Sequence, residues 1–457
     1  MASSATAEPP SFGPGVLGET LRRLLGIASG EPLPPVAVAF SGGADSTALL
    51  HAAAALPGCR VRALHVDHGL QVESAAWAEH CVAVAAGLRV ECRVLHADIG
   101  RAAIDAEGVE GAARQARYRR LAGAMTRGEC LLTAQHREDQ LETVLLQLVR
   151  GAGLPGLAAM PSSAPLGPGR LLRPLLEFGR AELRAYLEAR GIGWLEDPAN
   201  RDPRFDRSFL RNEIVPRLLG RWPAADRSAL RSARHLAEGA GLLRQLAAAD
   251  LDGCDAGEGR LDAGRLRRLP AARQRNALRH WLRSAGCRAP DARHLDRLLA
   301  EVVAGEGEQP RLRLGEAEVR RWRDRLYLLG GGVAPAVELP GEPLPLAAGA
   351  GLALPGGLGT LALVPGAPVG LDPALVAAGC EVRFRSGGES LAPAAGRPTR
   401  RLKQLLQEAG IVPWMRSRLP LIYCGGELVA VADLWTAAQR RRKGGVAVVW
   451  EDRPPLR

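Results

Sequence analysis

Lysine is almost missing from this chain: of its 60 basic residues only Lys403 and Lys443 are lysines, and the rest are arginines. That skew carries no functional weight by itself. The eight cysteines, Cys59, Cys81, Cys92, Cys130, Cys254, Cys287, Cys380 and Cys424, include no C-x-x-C pair. Their spacing argues against both a disulfide framework and a zinc knuckle. No uninterrupted apolar run approaches the roughly 20 residues that span a bilayer, and Met1 to Pro10 has neither a basic leader nor an apolar core. The reading is a cytoplasmic protein with no membrane partner. Two phosphate-binding signatures are also missing: there is no G-x-x-x-x-G-K-[ST] and no G-x-G-x-x-G at the end of the first strand. No internal repeat is visible.

What is present is a chain of 457 residues, 47% hydrophobic and 24% charged, ordinary for a soluble globular protein and too long for one core. The net charge of +11 is unevenly placed. Arg221 to Arg325 holds 22 basic and 15 acidic residues, and Arg397 to Lys443 holds 10 and 3, so the excess lies beyond residue 220. A polyanion gripped by the second half of the chain fits this distribution. A solvated arginine-rich surface fits it too.

The first 150 residues alternate short apolar runs with helical spacing. The runs are Val36–Phe40, Val61–Val66, Val90–Leu95 and Cys130–Ala134. The helical segments are Thr47–Ala55, Ala75–Ala86, Gly111–Ala124 and Glu138–Val149. In the last of these, Leu141, Val144, Leu145, Leu148 and Val149 repeat on one face and predict a buried stripe. This order predicts an α/β domain, a parallel sheet covered by helices on both faces, over residues 1–217. Pro161–Gly169 reads as loop and Arg180–Arg190 as helix. Residues 218–330 read as mainly helical. Residues 331–379, rich in Gly, Pro and Ala, read as a connection, with short strands as the alternative. A small α+β domain closes the chain over 380–457.

The strongest local signal is Ser41-Gly42-Gly43-Ala44-Asp45-Ser46, between the first strand and a helix. A glycine pair lets the backbone turn sharply, and the unpaired N–H groups of the helix start point back at the turn. Ser41 and Ser46 add hydroxyl donors, so the turn suits a phosphate. Asp45 makes sense in such a cradle if it holds Mg²⁺. The plainer alternative is a glycine-rich turn with Asp45 or Ser46 as helix cap.

Ser-Gly-Gly-x-Asp-Ser resembles the signature of the PP-loop ATP pyrophosphatases, which split ATP between its α and β phosphates to adenylate a substrate. Further stretches resemble one branch, the tRNA(Ile)-lysidine synthetases. They are His65-Val66-Asp67-His68-Gly69-Leu70, Glu110 to Tyr118, Thr133 to Thr143, and Trp194 through Glu196-Asp197-Pro198 and Asn200 to Arg211. The C-terminal part adds Arg383-Phe384-Arg385, Gly388-Glu389, Leu402-Lys403-Gln404 and Pro413-Trp414-Met415-Arg416. Together they cover most of the chain. Three positions depart from the family pattern: Glu138 stands where Asp is usual, Phe205 where Tyr is usual and Ser208 where Asn is usual.

The resemblance implies ATP and Mg²⁺ as cofactors, with CAU-anticodon tRNA(Ile) and free L-lysine as partners. A homodimer is left open. ATP would lie on residues Ser41 to Ser46, with His65 and His68 near the nucleoside. Asp45 and Asp139 are candidate metal ligands. Asp45, Arg114, His136, Asp139 and Glu142 are candidate catalytic residues, with Arg114 neutralising phosphate charge and His136 as base. Asp139 and Glu142, three apart at the mouth of a helix, would meet the amines of lysine, although acidic residues also favour a first helical turn without any function. Arg397, Arg400, Arg401, Lys403 and Arg416 are the candidate nucleic-acid contacts, and 218–330 and 380–457 the tRNA-binding domains. A thiolating PP-loop enzyme and an amidotransferase-type ligase are the rivals. The first generally needs a reactive cysteine pair, and the second lacks a basic RNA-binding half. A nucleotide-binding module without catalysis would leave Glu138 to Glu142 without work.

Overall fold

The computed structural model of the chain describes residues 12–69, 74–98, 101–196, 204–287, 290–307, 309–315, 317–330, 339–394, 398–454 and 456. Of the residues named above, Met1, Pro10, Leu70, Asp197, Pro198, Asn200 and Arg397 lie outside this set, as does the side chain of Glu110. The chain divides into two units, Met1–Leu242 and Leu243–Arg457.

In the first unit, helix α1 (Pro14–Leu25) precedes β1 (Val36–Ala39), α2 (Ala44–Ala54), β2 (Val61–Asp67), α3 (Ser74–Gly87), β3 (Glu91–His96) and α4 (Arg101–Ala124, interrupted at Gly108). Then come β4 (Cys130–Leu132), α5 (Arg137–Val149), the short α6 (Leu154–Leu157), β5 (Ser163–Leu166), β6 (Gly169–Leu172) and α7 (Arg180–Glu188). The sheet order is β3-β2-β1-β4-β6-β5. Every pairing is parallel except the β5–β6 hairpin. Val36 and Val38 face a core that includes Leu17, Leu49 and Leu183 of the helices on one side. Ala37 and Ala39 face Leu121 and Met125 on the other. A strand buried on both faces needs no polar alternation, which is why β1 reads as an unbroken apolar run. From β1 the chain goes first to β2 and β3 and later returns to β4 on the opposite side. The carboxyl ends of β1 and β4 therefore form the crevice where open α/β sheets bind ligands.

Two expectations are corrected here. Pro161–Gly169 is not all loop: it carries the edge strand β5 of a hairpin, where Pro165 costs no ladder hydrogen bond. The apolar stripe of α5 is buried only at its start: Leu141 is 4% exposed, whereas Leu148 and Val149 are 61% and 85% exposed. The unit is completed by α8 (Asp206–Phe209), a π-helical turn at Leu210–Ile214, α9 (Val215–Arg221) and the first part of α10 (Ala225–Cys254). Asp226 of α10 accepts from Arg137 at 2.6 Å and Arg234 meets Glu177 at 2.6 Å. These contacts carry the unit past the boundary expected at 217.

The second unit has two cores. In the first, β7 (Leu261–Asp262), α11 (Ala263–Arg267), α12 (Ala271–Ser284), α13 (Ala292–Arg297) and a π-helical segment to Val303 lead into β8 (Arg311–Leu314), β9 (Ala317–Trp322) and β10 (Arg325–Leu329). The helices pack on the antiparallel sheet β7-β10-β9-β8 around Leu278, Leu295 and Val319. The expected helical character of 218–330 thus ends in strands.

The second core is built from β11 (Leu344–Leu346), β12 (Gly351–Ala353), β13 (Thr360–Leu371), α14 (Pro373–Ala377), β14 (Cys380–Phe384), β15 (Ser390–Leu391), β16 (Arg400–Arg401) and α15 (Leu402–Glu408). It is completed by β17 (Pro420–Cys424), β18 (Glu427–Val431), β19 (Trp435–Thr436) and β20 (Arg441–Glu451). The connection expected at 331–379 is corrected: its described residues carry strands, and β13 pairs antiparallel with β20. Leu361, Leu363 and Leu371 share a core with Val446 and Trp450. The glycines that made this stretch look like a linker serve close strand contact. A Cβ on Gly370 would stand 2.4 Å from the Val446 carbonyl oxygen. Cys380 stands opposite Cys424 in β14 and β17, and the two are joined in a disulfide. No helix among the described residues is long and apolar enough to cross a membrane.

Candidate active site

The turn after β1 is held by its own hydroxyls. Ser46 Oγ donates to the Gly43 carbonyl at 3.0 Å and accepts the Ser41 N–H at 3.2 Å, while Ser41 Oγ lies 3.0 Å from it. Thr47 Oγ1 donates to the Gly42 carbonyl at 3.3 Å, which also accepts the Leu195 N–H at 2.9 Å. Gly42 has φ +81°, and a Cβ there would lie 3.2 Å from Cys81 Sγ, so only glycine fits. The start of α2 therefore leaves unpaired N–H groups at the mouth of this turn.

Asp45, on the first turn of α2, faces a cluster carried by α5. His136 caps α5 and is 1% exposed. Its Nδ1 donates to Glu138 at 3.0 Å, and its Nε2 lies 3.5 Å from both Asp45 and Asp139. Burial alone would lower its pKa, but the charge of Asp139 and the hydrogen bonds to Asp45 and Glu138 outweigh burial and push it up to about 10. These neighbours favour the charged imidazole, which suits a proton donor better than the base expected from the sequence. Burial raises the Asp45 and Glu138 carboxyls, yet His136 holds both below their ordinary values.

Arg211, on the π-helical turn, binds the other side of the cluster. Its Nε donates to Glu142 at 2.7 Å, and its Nη2 to Asp139 at 2.7 Å and Glu142 at 3.0 Å. Glu142 is 1% exposed, and burial pushes its carboxyl up despite that fork. Asp139 has one oxygen on Arg211 and the other on the His136 backbone N–H at 2.9 Å. Both of its oxygens are thus engaged by the protein. Asp45 differs: its Oδ1 is buried without a hydrogen-bond partner among the described residues.

Two cavities meet at the turn. One, of about 510 Å³, is lined by Ser41, Gly43, Ala44, Asp45, Ser46, Arg114 and Asp139, with Arg180, Arg184, Arg207 and Arg211 around them. The other, of about 410 Å³, is lined by Leu64, His65, Val66, His68 and Trp77. Ser41, Gly43, Arg117 and Leu195 line both. His65 is 6% exposed and its Nδ1 donates to the Phe40 carbonyl at 2.9 Å. Burial lowers the pKa of His65 and His68, which favours neutral rings. Burial also lowers the pKa of Arg117, and the neighbouring Arg114 adds to this. A poorly compensated guanidinium between an apolar pocket and a phosphate cradle favours an anion there.

The structure therefore lines one cavity with Ser41, Gly43 to Ser46, Arg114 and Asp139, keeps His136 and Glu142 buried behind Asp45, Asp139 and Arg211, and places His65 and His68 in the next cavity. Sequence reasoning gave Arg117, Glu138 and Arg211 no role. All three lay inside the quoted motifs, but Glu138 and Arg211 take partners from other elements. The C-terminal candidates fare differently. Arg401 and Lys403 are exposed. Arg400 is paired with Glu408. Arg416 donates to the Ile411 carbonyl at 2.9 Å, and its guanidinium lies 5.9 Å from the Trp322 ring centre, so it is engaged inside its unit.

A glycine turn at the end of the first strand of a parallel sheet, with a carboxylate on the following helix, defines a PP-loop nucleotide-binding protein. The family model described as PP-loop domain matches residues 19–218. Those described as TilS substrate binding domain and TilS substrate C-terminal domain match residues 261–327 and 380–450. Curated relatives named tRNA(Ile)-lysidine synthase match almost end to end. The protein of Alkalilimnicola ehrlichii is 45% identical over 96% of this chain and 97% of its own. Those of Methylococcus capsulatus and Pseudomonas aeruginosa are each 44% identical, over 88% and 92% of this chain and 92% and 93% of their own. The chain belongs to the tRNA(Ile)-lysidine synthase family.

Proposed function

We propose that the chain is an ATP-dependent ligase that joins free L-lysine to carbon two of the wobble cytidine in CAU-anticodon tRNA(Ile). The codon read changes from AUG to AUA. The observation that carries this reading is the pair of cavities meeting at the turn, one apolar and ringed, the other polar and arginine-lined. The first suits a nucleoside and the second a polyphosphate with a cationic co-substrate.

In the first step the cytosine carbonyl oxygen attacks the α-phosphorus of ATP and pyrophosphate leaves. The N–H groups of the turn and the guanidiniums of Arg114 and Arg117 meet the charge that develops. The free oxygen of Asp45 fits Mg²⁺, which commonly takes one or two carboxylates and completes its shell with phosphate oxygens and water. Asp45 would hold the ion, which supplies charge neutralisation at the phosphates. In the second step the neutral ε-amine of lysine attacks the activated carbon, AMP leaves and the amine loses a proton. Asp139 lines the cavity beside Arg211, and Glu142 holds Arg211 from behind. A thiolating reaction is not favoured. Cys81, beside the turn, is fully buried, and burial pushes its thiol up to about 12, which leaves no nucleophile there.

Transfer of radiolabelled lysine to total tRNA in the presence of ATP, followed by mass analysis of the modified nucleoside, tests the proposal. AMP release with no label in tRNA would sink it. The surface around Arg401 and Lys403 is assigned to RNA backbone. Arg401→Glu combined with Lys403→Glu should weaken tRNA binding about tenfold or more and flatten its salt dependence. ATP binding should stay unchanged. Filter binding across a salt series reads the effect, and equal tRNA affinity would remove this surface from the interface.

A further inference from the structure

Helix α4 contributes two arginines to the wall of the polar cavity, Arg114 and Arg117. Arg114 is exposed. A long exposed side chain has many rotamers, and holding one of them ready for a ligand costs entropy. One turn further along α4 stands Tyr118, and the Arg114 guanidinium carbon lies 5.3 Å from the centre of its ring. That is within the roughly 6 Å over which a cation is drawn to an aromatic face. The two positions are four apart, so they share one side of the helix.

Tyr118 itself lines neither cavity. It is half-buried and packs against the core of Ala37, Leu121 and Leu131. Its phenol oxygen accepts from Arg173, which comes from a different part of the chain, directly after β6. Arg173 is firmly anchored: it is 6% exposed, its Nη1 donates to the Pro161 carbonyl at 2.7 Å and its backbone N–H to the Ser162 carbonyl at 2.8 Å. Burial lowers the pKa of both Arg117 and Arg173; Tyr118 opposes this and Arg114 adds to it. One side chain thus has a cavity-lining guanidinium on its face and a buried one at its hydroxyl. An ordinary surface pair four residues apart would need the face alone.

We propose that Tyr118 is the positioning residue for Arg114: its ring face holds the guanidinium at the cavity wall, and Arg173, through the phenol, holds the ring. The inference rests on the part given to Arg114 in the adenylating step. Charge develops on the phosphates there, and a donor already in place needs no reorganisation when it does. Because Tyr118 is outside the cavity wall, it acts only through Arg114. The ring carries the larger share of this task and the hydroxyl the smaller, so the two can be removed separately.

The test measures AMP formation from ATP in the presence of tRNA, with the full chain. It compares Tyr118→Leu, Tyr118→Phe, Arg114→Ala and the double variant Tyr118→Leu with Arg114→Ala. Tyr118→Leu should lower kcat about tenfold, because the guanidinium is no longer held where the charge develops. Tyr118→Phe keeps the ring face and should stay within about threefold of the wild type. Arg114→Ala should be slowed at least as much as Tyr118→Leu. In that background Tyr118→Leu should cause no further loss, since the group it positions is gone. Thermal unfolding of each variant reads any loss of stability separately from turnover. An equal further loss in the Arg114→Ala background, or a Phe variant as slow as the Leu variant, overturns the inference. So does wild-type turnover in Tyr118→Leu when Arg114→Ala is slowed, and these three outcomes leave the role of Arg114 standing. Normal turnover in Arg114→Ala overturns that role and this inference with it.

Discussion

Asp45→Ala should abolish AMP formation from ATP in the presence of tRNA, with a loss of at least about 10²- to 10³-fold. The size follows from where the carboxylate stands. It sits on the first turn of the helix that follows the nucleotide turn, on the wall of the polar cavity, with one oxygen near His136 and the other buried and unpartnered. An unpartnered buried carboxylate oxygen is a standing cost, tolerated where a ligand completes it. Asp45→Asn separates charge from shape. It keeps the volume and removes the charge, so if charge at the phosphates matters it should be nearly as inactive as the Ala variant. Either variant should also lose the stability that the Asp45 charge contributes beside His136, which thermal unfolding reads separately from turnover. Normal AMP turnover in Asp45→Ala would remove the turn from the mechanism altogether.

Much of the first unit could be read from the residues. The unbroken apolar runs of β1 and β4 and the glycine pair placed the turn at a strand end, and the sheet confirms that placement. The α5 carboxylates were legible because helical spacing is a local rule. Their protonation states were not legible, since those depend on what approaches from elsewhere. His136 next to a carboxylate looks like a base; its charged form is favoured only because Asp45, Glu138 and Asp139 all converge on it. Arg211 sat in a quoted motif, but its fork onto Asp139 and Glu142 depends on a π-helical turn that no periodicity announces.

The C-terminal region failed for a different reason. Glycine and proline signal breaks, yet in β13 they mark register shifts in a long strand pair. The cysteine spacing argued against a disulfide framework, yet Cys380 and Cys424, far apart along the chain, stand opposite each other in the sheet and are bonded. Arg416 counted towards a basic patch in sequence, but its guanidinium is engaged by Ile411 and Trp322. Charge counts see residues and cannot see which of them are already paired.

His136→Gln should lower stability by an amount that depends on pH in a stated direction. The folded-state pKa is raised from 6.5 to about 10, so the stabilisation from the charged ring is complete below pH 6.5. It is lost as pH rises from 6.5 through about 10. The gap between wild type and variant should therefore be on the order of 3 kcal/mol near neutrality and close at high pH. Asp45 and Glu138 behave oppositely: their lowered pKa values contribute above the ordinary 3.8 and 4.5 and are lost as pH falls. The cluster is then most stabilising between about 4.5 and 6.5, the two limits set by the ordinary values of Glu138 and His136. Denaturant unfolding across pH measures this, and an imidazole resonance of His136 titrating near 6.5 would contradict it. The kinetic consequence divides the two roles this residue can have. A base would matter only when lysine attacks, so His136→Gln would still release pyrophosphate. A cation that fixes Asp45 matters when the phosphates are bound, so the variant should fail at pyrophosphate release, before lysine enters.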